Sequence, residues 1–343
     1  MPIHFADSDE LADWNQLVLK NPNHGDILQS RQFAELKAST GWMPRYLVDD
    51  SLATLILEKK IPLLGTYWYV PKGPGVTTSD QLGAFLDELV PFARQHGVFT
   101  VTIEPELTDT TVISRYSLLP IRQIQPNIST VLVDLTPSED DILASFGQTA
   151  RRMIRKSQKE PGIRIEPVEA NDANCHTMYN LYRETADGQF STHEYDYHRR
   201  YWQDYAANGM GQLFFAYHDG VVVAAVFAAF FGEKALYKDG ASVRTKTAPG
   251  ISHLLQWEVM KWLKAQGKTS YDLHGTPHST KLEDTTQSFY GIGRFKTSFS
   301  KDVIDYVGAL DIAISPLRTK LWHKLIKKIV MRLYHRKHGY SWY

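Results

Sequence analysis

Residues 290–299, YGIGRFKTSF, set Arg294 and Lys296 on either side of Phe295. On an extended chain that alternation turns both cations away from the face the phenylalanine occupies. A lysine beside a carbonyl under attack can stabilise the oxyanion that develops there; the plainer alternative for an isolated Arg-Phe-Lys is a pair of surface cations. Upstream, Tyr271-Asp272-Leu273-His274-Gly275 reads as a strand that carries a carboxylate and opens into glycine. Polar groups at a strand end are where α/β folds build their sites. A third group is residues 237–242, YKDGAS, with Tyr237 and Asp239 at a strand end, followed by RTKTAPG at 244–250. An acetyl-CoA enzyme would place a glycine-rich, pyrophosphate-holding loop there; here the glycine spacing is missing and Pro249 has no N–H to donate. Ser191, His193, Tyr195 and Tyr197 fall on one run, with Tyr201 a helical turn further on. They could hold phosphates and sugar hydroxyls, or form an aromatic face packed in the core.

Other chemistries lose support on the same sequence. His274 and His278 are four apart, but Gly275 and Pro277 between them rule out the regular helix that would aim both at one metal. There is one cysteine, Cys175, without a nucleophile motif around it, and no P-loop or Gly-x-Ser-x-Gly elbow. Neither metal nor cofactor is expected.

Alternating helices and strands must carry these residues. Helical spacing marks residues 8–19, 30–37 and 81–96, with strands at 46–48, 52–58, 65–69, 98–104 and 131–135 closing a first half. The pattern then repeats: helix 138–159, strand 163–167, helices 171–185 and 196–208, strands 212–217, 221–231 and 235–239, helix 252–266, strand 270–273. Two similar α/β halves around mixed sheets follow, the second in the order of a GNAT-type acyltransferase. With 343 residues, two domains are the natural division.

Net charge is zero, but it is unevenly placed. Residues 314–343 hold eight Lys or Arg and no Asp or Glu, leaving 30 basic against 38 acidic residues elsewhere. Leu317, Leu321, Trp322, Leu325, Ile329, Val330 and Leu333 recur at helical spacing among those cations. Such a helix suits an anionic membrane surface or nucleic-acid phosphate, or else docks on the protein with a solvated basic face. The opening MPIHFADSDELADW lacks the basic and apolar regions of a secretory leader. The most apolar run, 221–231, has 11 residues against the ~20 a spanning helix needs. The expectation is a cytoplasmic monomer, with a peripheral contact at the inner membrane face through 317–337 as an option.

Several segments together resemble the FemABX family, whose members extend the stem peptides of peptidoglycan. Gln29-Ser30-x-x-Phe33-x-x-x-Lys37 with Gly41-Trp42 is similar to its Q-S-x-x-W-x-x-x-K…W start, and Val70-Pro71-Lys72-Gly73-Pro74 to its K-G-P turn. Ile103-Glu104-Pro105 resembles its acidic strand end, Thr149–Lys156 its K-T-R-x-x-I-R/K helix, Tyr271-Asp272-Leu273 its Y-D-F/L strand and residues 289–299 its L-Y-x-F-K-x-x-F. The matches run in family order over nearly the whole chain.

The resemblance implies an α/β (α+β) fold of two GNAT-like domains, 1–137 with 314–343 and 138–313, the C-terminal helix packing back on the first. It implies an aminoacyl-tRNA donor and an acceptor that is UDP-MurNAc-pentapeptide or lipid II. By position, Lys37 corresponds to a lysine that contacts the nucleotide precursor, Lys296 to the lysine at the acyl-transfer centre, and Tyr197 to a tyrosine of the acceptor site. Glu104 stands where the family has an Asp near the catalytic cavity. Ser191, His193, Tyr237, Arg294 and Phe295 complete the expected substrate contacts. Two departures stand out: His193 replaces an Arg of the single-precursor enzymes, and Asp239 replaces a Tyr directly before Gly240. On this view Lys296 stabilises the oxyanion, and Glu104, Asp239 or the tRNA's own terminal hydroxyl takes the proton. The alternatives are a GNAT-type enzyme using acyl-CoA, or a non-catalytic module that binds tRNA or membrane.

Overall fold

The computed structural model describes residues 2–125, 128–186, 193–243, 249–287, 290–339 and 342–343. Its strands are β1 (His4–Phe5), β2 (Met43–Val48), β3 (Ala53–Ile61), β4 (Gly65–Val70), β5 (Val98–Ile103), β6 (Leu119–Pro120), β7 (Ser129–Asp134), β8 (Ile163–Val168), β9 (Gly211–His218), β10 (Val221–Phe231), β11 (Lys234–Ser242), β12 (Ser270–Asp272), β13 (Val303–Asp305) and β14 (Leu310–Ile312). They form two seven-stranded sheets, in the orders β1-β2-β3-β4-β5-β14-β6 and β13-β7-β12-β11-β10-β9-β8.

The chain divides into one unit of Met1–Ile128 with Tyr306–Tyr343 and a second of Ser129–Asp305. The boundaries differ from 137 and 313 because β7 pairs with β12 and β13 in the second sheet. It opens that unit rather than closing the first, and β14 returns to pair with β5 and β6.

In the first unit β3 to β5 are buried on both faces, and helix Ser79–Gln95 packs on β5. That helix begins with a capping box: Thr78 accepts from the Gln81 N–H, and the Gln81 side chain answers to the Thr78 N–H. The C-terminal helices belong to this unit. Ser315 N–H donates to the Phe99 carbonyl at 2.9 Å, Thr319 Oγ1 donates to the same carbonyl at 3.0 Å, and Trp322 is fully buried.

In the second unit the run VVVAAVFAAFF becomes β10, buried from Val223 to Phe231, between β9 and β11. A strand covered on both faces needs such an uninterrupted apolar run. Helix Ile251–Ala265 covers one face through Leu254, Leu255, Val259 and Leu263, which share a core with Ala224, Val226, Ala228 and Phe230. Helix Tyr195–Ala207 packs on the other, where Tyr201 and Trp202 meet the Phe227 ring. The stretch expected as one helix over 138–159 is two, Glu139–Ser145 and Gln148–Gln158, broken at Phe146 and Gly147. A Cβ at Gly147 would stand 3.1 Å from the Ser298 carbonyl, a tight contact that a side chain could make only if the backbone there gave way slightly.

Candidate active site

Lys296 is the last residue of a short helix, Tyr290–Lys296, rather than of an extended segment. The helical turn separates the two cations. Arg294 is exposed beside the Tyr290 ring, whereas Lys296 is buried. Phe295 packs on the core against His253, ring centroids 4.8 Å apart, with Phe299 behind it. The Lys296 Nζ donates to the carbonyls of His274, at short range, and Gly275, at 2.8 Å. Both carbonyls are exposed to it because the chain leaves β12 in the left-handed region, with φ of 55° at His274 and 57° at Gly275. Asp272 holds that exit by accepting from the His274 N–H at 2.6 Å and from the Thr130 hydroxyl. Burial pulls the Lys296 pKa down to about 8, with Asp272 opposing the fall. Two of three ammonium hydrogens are thus committed to carbonyls, and one remains for a further oxygen.

Tyr237 and Asp239 would share a face on a regular strand, being two apart. A bulge prevents it. Asp239 pairs with Phe227 and Tyr237 with Ala228, so Lys238 is an extra residue in β11. Cross-strand partners share a face. Tyr237 therefore lies with Ala228 on the core of helix Ile251–Ala265, its ring 5.7 Å from Lys296 Nζ. Burial raises its pKa to about 12, opposed by a hydrogen bond with Gln256, which also accepts from the Tyr271 hydroxyl at 3.0 Å. Gly240 makes room for that ring: a Cβ there would lie 1.7 Å from the Tyr237 hydroxyl.

Asp239 lies with Phe227 on the opposite face and accepts from the Trp202 indole N–H at 3.0 Å. Burial pushes its pKa up to about 8. Around it stand rings from two helices, Asp172–Ala186 and Tyr195–Ala207: Tyr182 beside His198, and Tyr201 beside both His198 and Trp202. His193 stacks on Tyr197, 4.0 Å between centroids, and its carbonyl accepts from the Tyr179 hydroxyl at 3.0 Å. Both ring nitrogens of His198 and the Tyr201 hydroxyl are buried without a hydrogen-bond partner among the described residues. Burial, with Lys238 and His193 nearby, lowers the His198 pKa to about 3. Ser191 lies outside the described residues.

Lys37 and Glu104 belong to the first unit. Lys37 is buried on the last turn of helix Arg31–Ser39, its Nζ 5.5 Å from the Phe33 ring. Glu104, just past β5, accepts from the Tyr69 hydroxyl at 2.5 Å and from the Ile124 and Gln125 N–H groups at 3.2 and 3.0 Å. Its pKa is raised by burial against those hydrogen bonds and the pull of Lys72. A cavity of about 20 Å³, room for roughly one water, lies between Glu104, Lys72, Gln125 and Tyr306. Lys72 pairs with Glu106 at 2.8 Å and faces the Tyr306 ring.

The structure thus joins Lys296 and Tyr237 on one face of β11, and gathers His193, Tyr197 and Asp239 towards the other. Arg294 and Phe295 do not join Lys296: one is solvent-facing, the other is core. Sequence reasoning missed Gln256, Tyr182, Trp202 and His198. Helical spacing could have found the last two, since Trp202 and His198 lie one turn apart on helix Tyr195–Ala207.

The two units are also similar to known proteins. A FemAB family model matches residues 12–117 and an acetyltransferase (GNAT) domain model matches 144–282. A lipid II:glycine glycyltransferase of Staphylococcus aureus (strain MRSA252) is 22% identical, over 92% of this chain and 93% of its own length. That of Staphylococcus saprophyticus is 21% identical, over 89% and 95%. The crystal structure of FemX superposes with a TM-score of 0.80 at 20% identity, over 95% of this chain and all of that one. A tandem GNAT protein from the clavulanic acid pathway gives 0.50 at 12% identity, over 92% and 99%.

Proposed function

Because the chain belongs to the FemABX family, we propose that it transfers an amino acid from aminoacyl-tRNA to the amine of a peptidoglycan precursor stem peptide, building the bridge between peptides. It is an acyltransferase whose donor arrives already activated as an ester. No protein nucleophile is needed, and the chain supplies position and charge. The acceptor amine attacks the ester carbonyl, the carbonyl oxygen takes up the negative charge, and the bond to the tRNA's terminal ribose breaks. The amine's proton ends on the released hydroxyl.

The observation that carries this reading is Lys296. A buried ammonium pinned by two backbone carbonyls, with one hydrogen left over, suits an oxygen that becomes negative only during reaction. Tyr237 walls that place. Asp239 sits on the other face of β11 and is assigned to the acceptor pocket with His193 and Tyr197, not to proton transfer beside Lys296. Protonated below about pH 8, it offers that pocket a hydroxyl donor. Lys37 contributes a cation to the precursor's phosphates, and Glu104 orders the residues around its own cavity.

The test is transfer by the full-length chain from a panel of charged tRNAs to UDP-MurNAc-pentapeptide and to lipid II. Transfer to at least one acceptor is expected, with a loss of about 10²- to 10³-fold in kcat for Lys296→Met. No transfer from any aminoacyl-tRNA to either acceptor would sink the proposal.

A further inference from the structure

The C-terminal helices carry two apolar columns where the sequence suggested one. Thr319, Trp322 and Tyr334 face inward: Thr319 bonds to β5, Trp322 is fully buried, and the Tyr334 hydroxyl donates to the Thr40 carbonyl at 3.0 Å. Leu317, Leu321, Leu325, Ile329 and Leu333 face outward and are 79%, 40%, 60%, 57% and 58% exposed. The buried column already accounts for docking, so the outward one is not needed to hold the helix down.

The outward column is straighter than a regular helix allows. Each four-residue step overshoots a full α-helical turn by about 40°, so five such positions would wind about 160° around the axis. Between Pro316–Leu321 and Lys327–His338, residues Trp322–Ile326 form a π-helical turn. Its wider turn makes a four-residue step fall short of full circle and cancels part of the drift. The leucines stay on one side. Each from Leu321 onward directly follows a cation: Lys320, Lys324, Lys328 and Arg332. None of these four makes an ion pair among the described residues, and no Asp or Glu occurs from residue 314 to 343.

We propose that this outward face is a docking surface for an anionic lipid bilayer, with the leucine column lying at the headgroup–acyl boundary and the flanking cations on the lipid phosphates. An apolar stripe beside unpaired cations is the pattern of a helix that lies in a membrane interface. No helix among the described residues is long and apolar enough to cross one. A second copy of this chain is a poorer occupant, because apposed columns would bring like charges together without a carboxylate to answer them. RNA phosphate would engage the cations but leave the leucines in water.

The experiment uses full-length protein with vesicles of phosphatidylcholine alone or with about one third phosphatidylglycerol, and compares wild type with Leu325→Glu/Ile329→Glu. Both positions are exposed, so the thermal midpoint should not move. Wild type should float with the anionic vesicles and bind neutral ones at least about tenfold more weakly, and the double variant should lose at least about tenfold on the anionic ones. Transfer to the nucleotide-linked acceptor should be the same for both proteins, which separates this result from the fate of the catalytic proposal. Failure of wild type to float, flotation unchanged in the variant, or a wild-type dimer in solution that the variant abolishes would each overturn the inference.

Discussion

Replacing Lys296 by methionine separates a lysine kept for chemistry from one kept for structure. Its pKa falls from 10.5 to about 8 on folding. That gap of about 2.5 pH units, at about 1.36 kcal/mol each, means the folded chain disfavours the ammonium by about 3 kcal/mol near pH 7. Methionine removes this cost but leaves the carbonyls of His274 and Gly275 without their donor, at about 1–3 kcal/mol each. The two effects are of similar size and opposite sign, so stability at pH 7 should fall by no more than about 3 kcal/mol, while transfer drops about 10²- to 10³-fold.

The pH dependence gives the sharper test. A lysine whose folded pKa lies below its unfolded value makes the unfolded chain the better proton binder between the two. Wild-type stability must therefore rise relative to Lys296→Met as pH climbs through about 8 towards 10.5. Between pH 7 and 9.5 the penalty shrinks from about 3 to about 1 kcal/mol, so the difference should move by about 2 kcal/mol in favour of wild type. Denaturant unfolding of both proteins at the two pH values, beside single-turnover transfer at pH 7, measures it. A Lys296→Met protein that loses more than about 4 kcal/mol at pH 7, or a stability difference flat with pH, would refute the account of Lys296 as a desolvated, poised cation.

Three further outcomes follow from neighbouring geometry. Transfer should fall as pH rises through about 8, because the charged form of Lys296 is the one that serves the oxyanion; a rate still climbing at pH 9.5, corrected for ester hydrolysis, would contradict that. Burial holds the Asp239 carboxyl at about 8 against an ordinary 3.8, so the folded chain binds its proton more tightly and wild-type stability declines as pH rises between those values. Asp239→Asn should accordingly gain roughly 3 kcal/mol on wild type between pH 5 and 8, read by denaturant unfolding, and a constant gap would refute it. Gly240→Ala sets a methyl 1.7 Å from the Tyr237 hydroxyl and should cost about 1–3 kcal/mol. Tyr237→Ala in the same chain should restore most of that loss, and additivity of the two changes in a double-mutant cycle would show that the ring is not what the glycine accommodates.

What was legible in the sequence was whatever depends on local period. The 11-residue apolar run read as a strand, bounded by Asp219–Gly220 and Gly232, and Leu254, Leu255, Val259 and Leu263 read as one side of a helix, as they prove to be. Pairings between distant segments were not legible. β7 looked like the end of the first half because it follows that half in the chain, yet its partners are β12 and β13, some 140 and 170 residues later. The face of Asp239 was hidden for a related reason. Counting by two puts it beside Tyr237, and only the β10 register shows that Lys238 is an extra residue. This one residue changes the chemistry available, because it takes a raised carboxyl away from Lys296 and gives it to the Trp202 side. The tail is the same problem on a helix. Trp322 and Leu325 are equally apolar and equally well spaced, so periodicity cannot say which of them faces inward. The fold decides by burying the tryptophan, and a single wide turn then leaves the leucines aligned on the outside, each step paired with a cation.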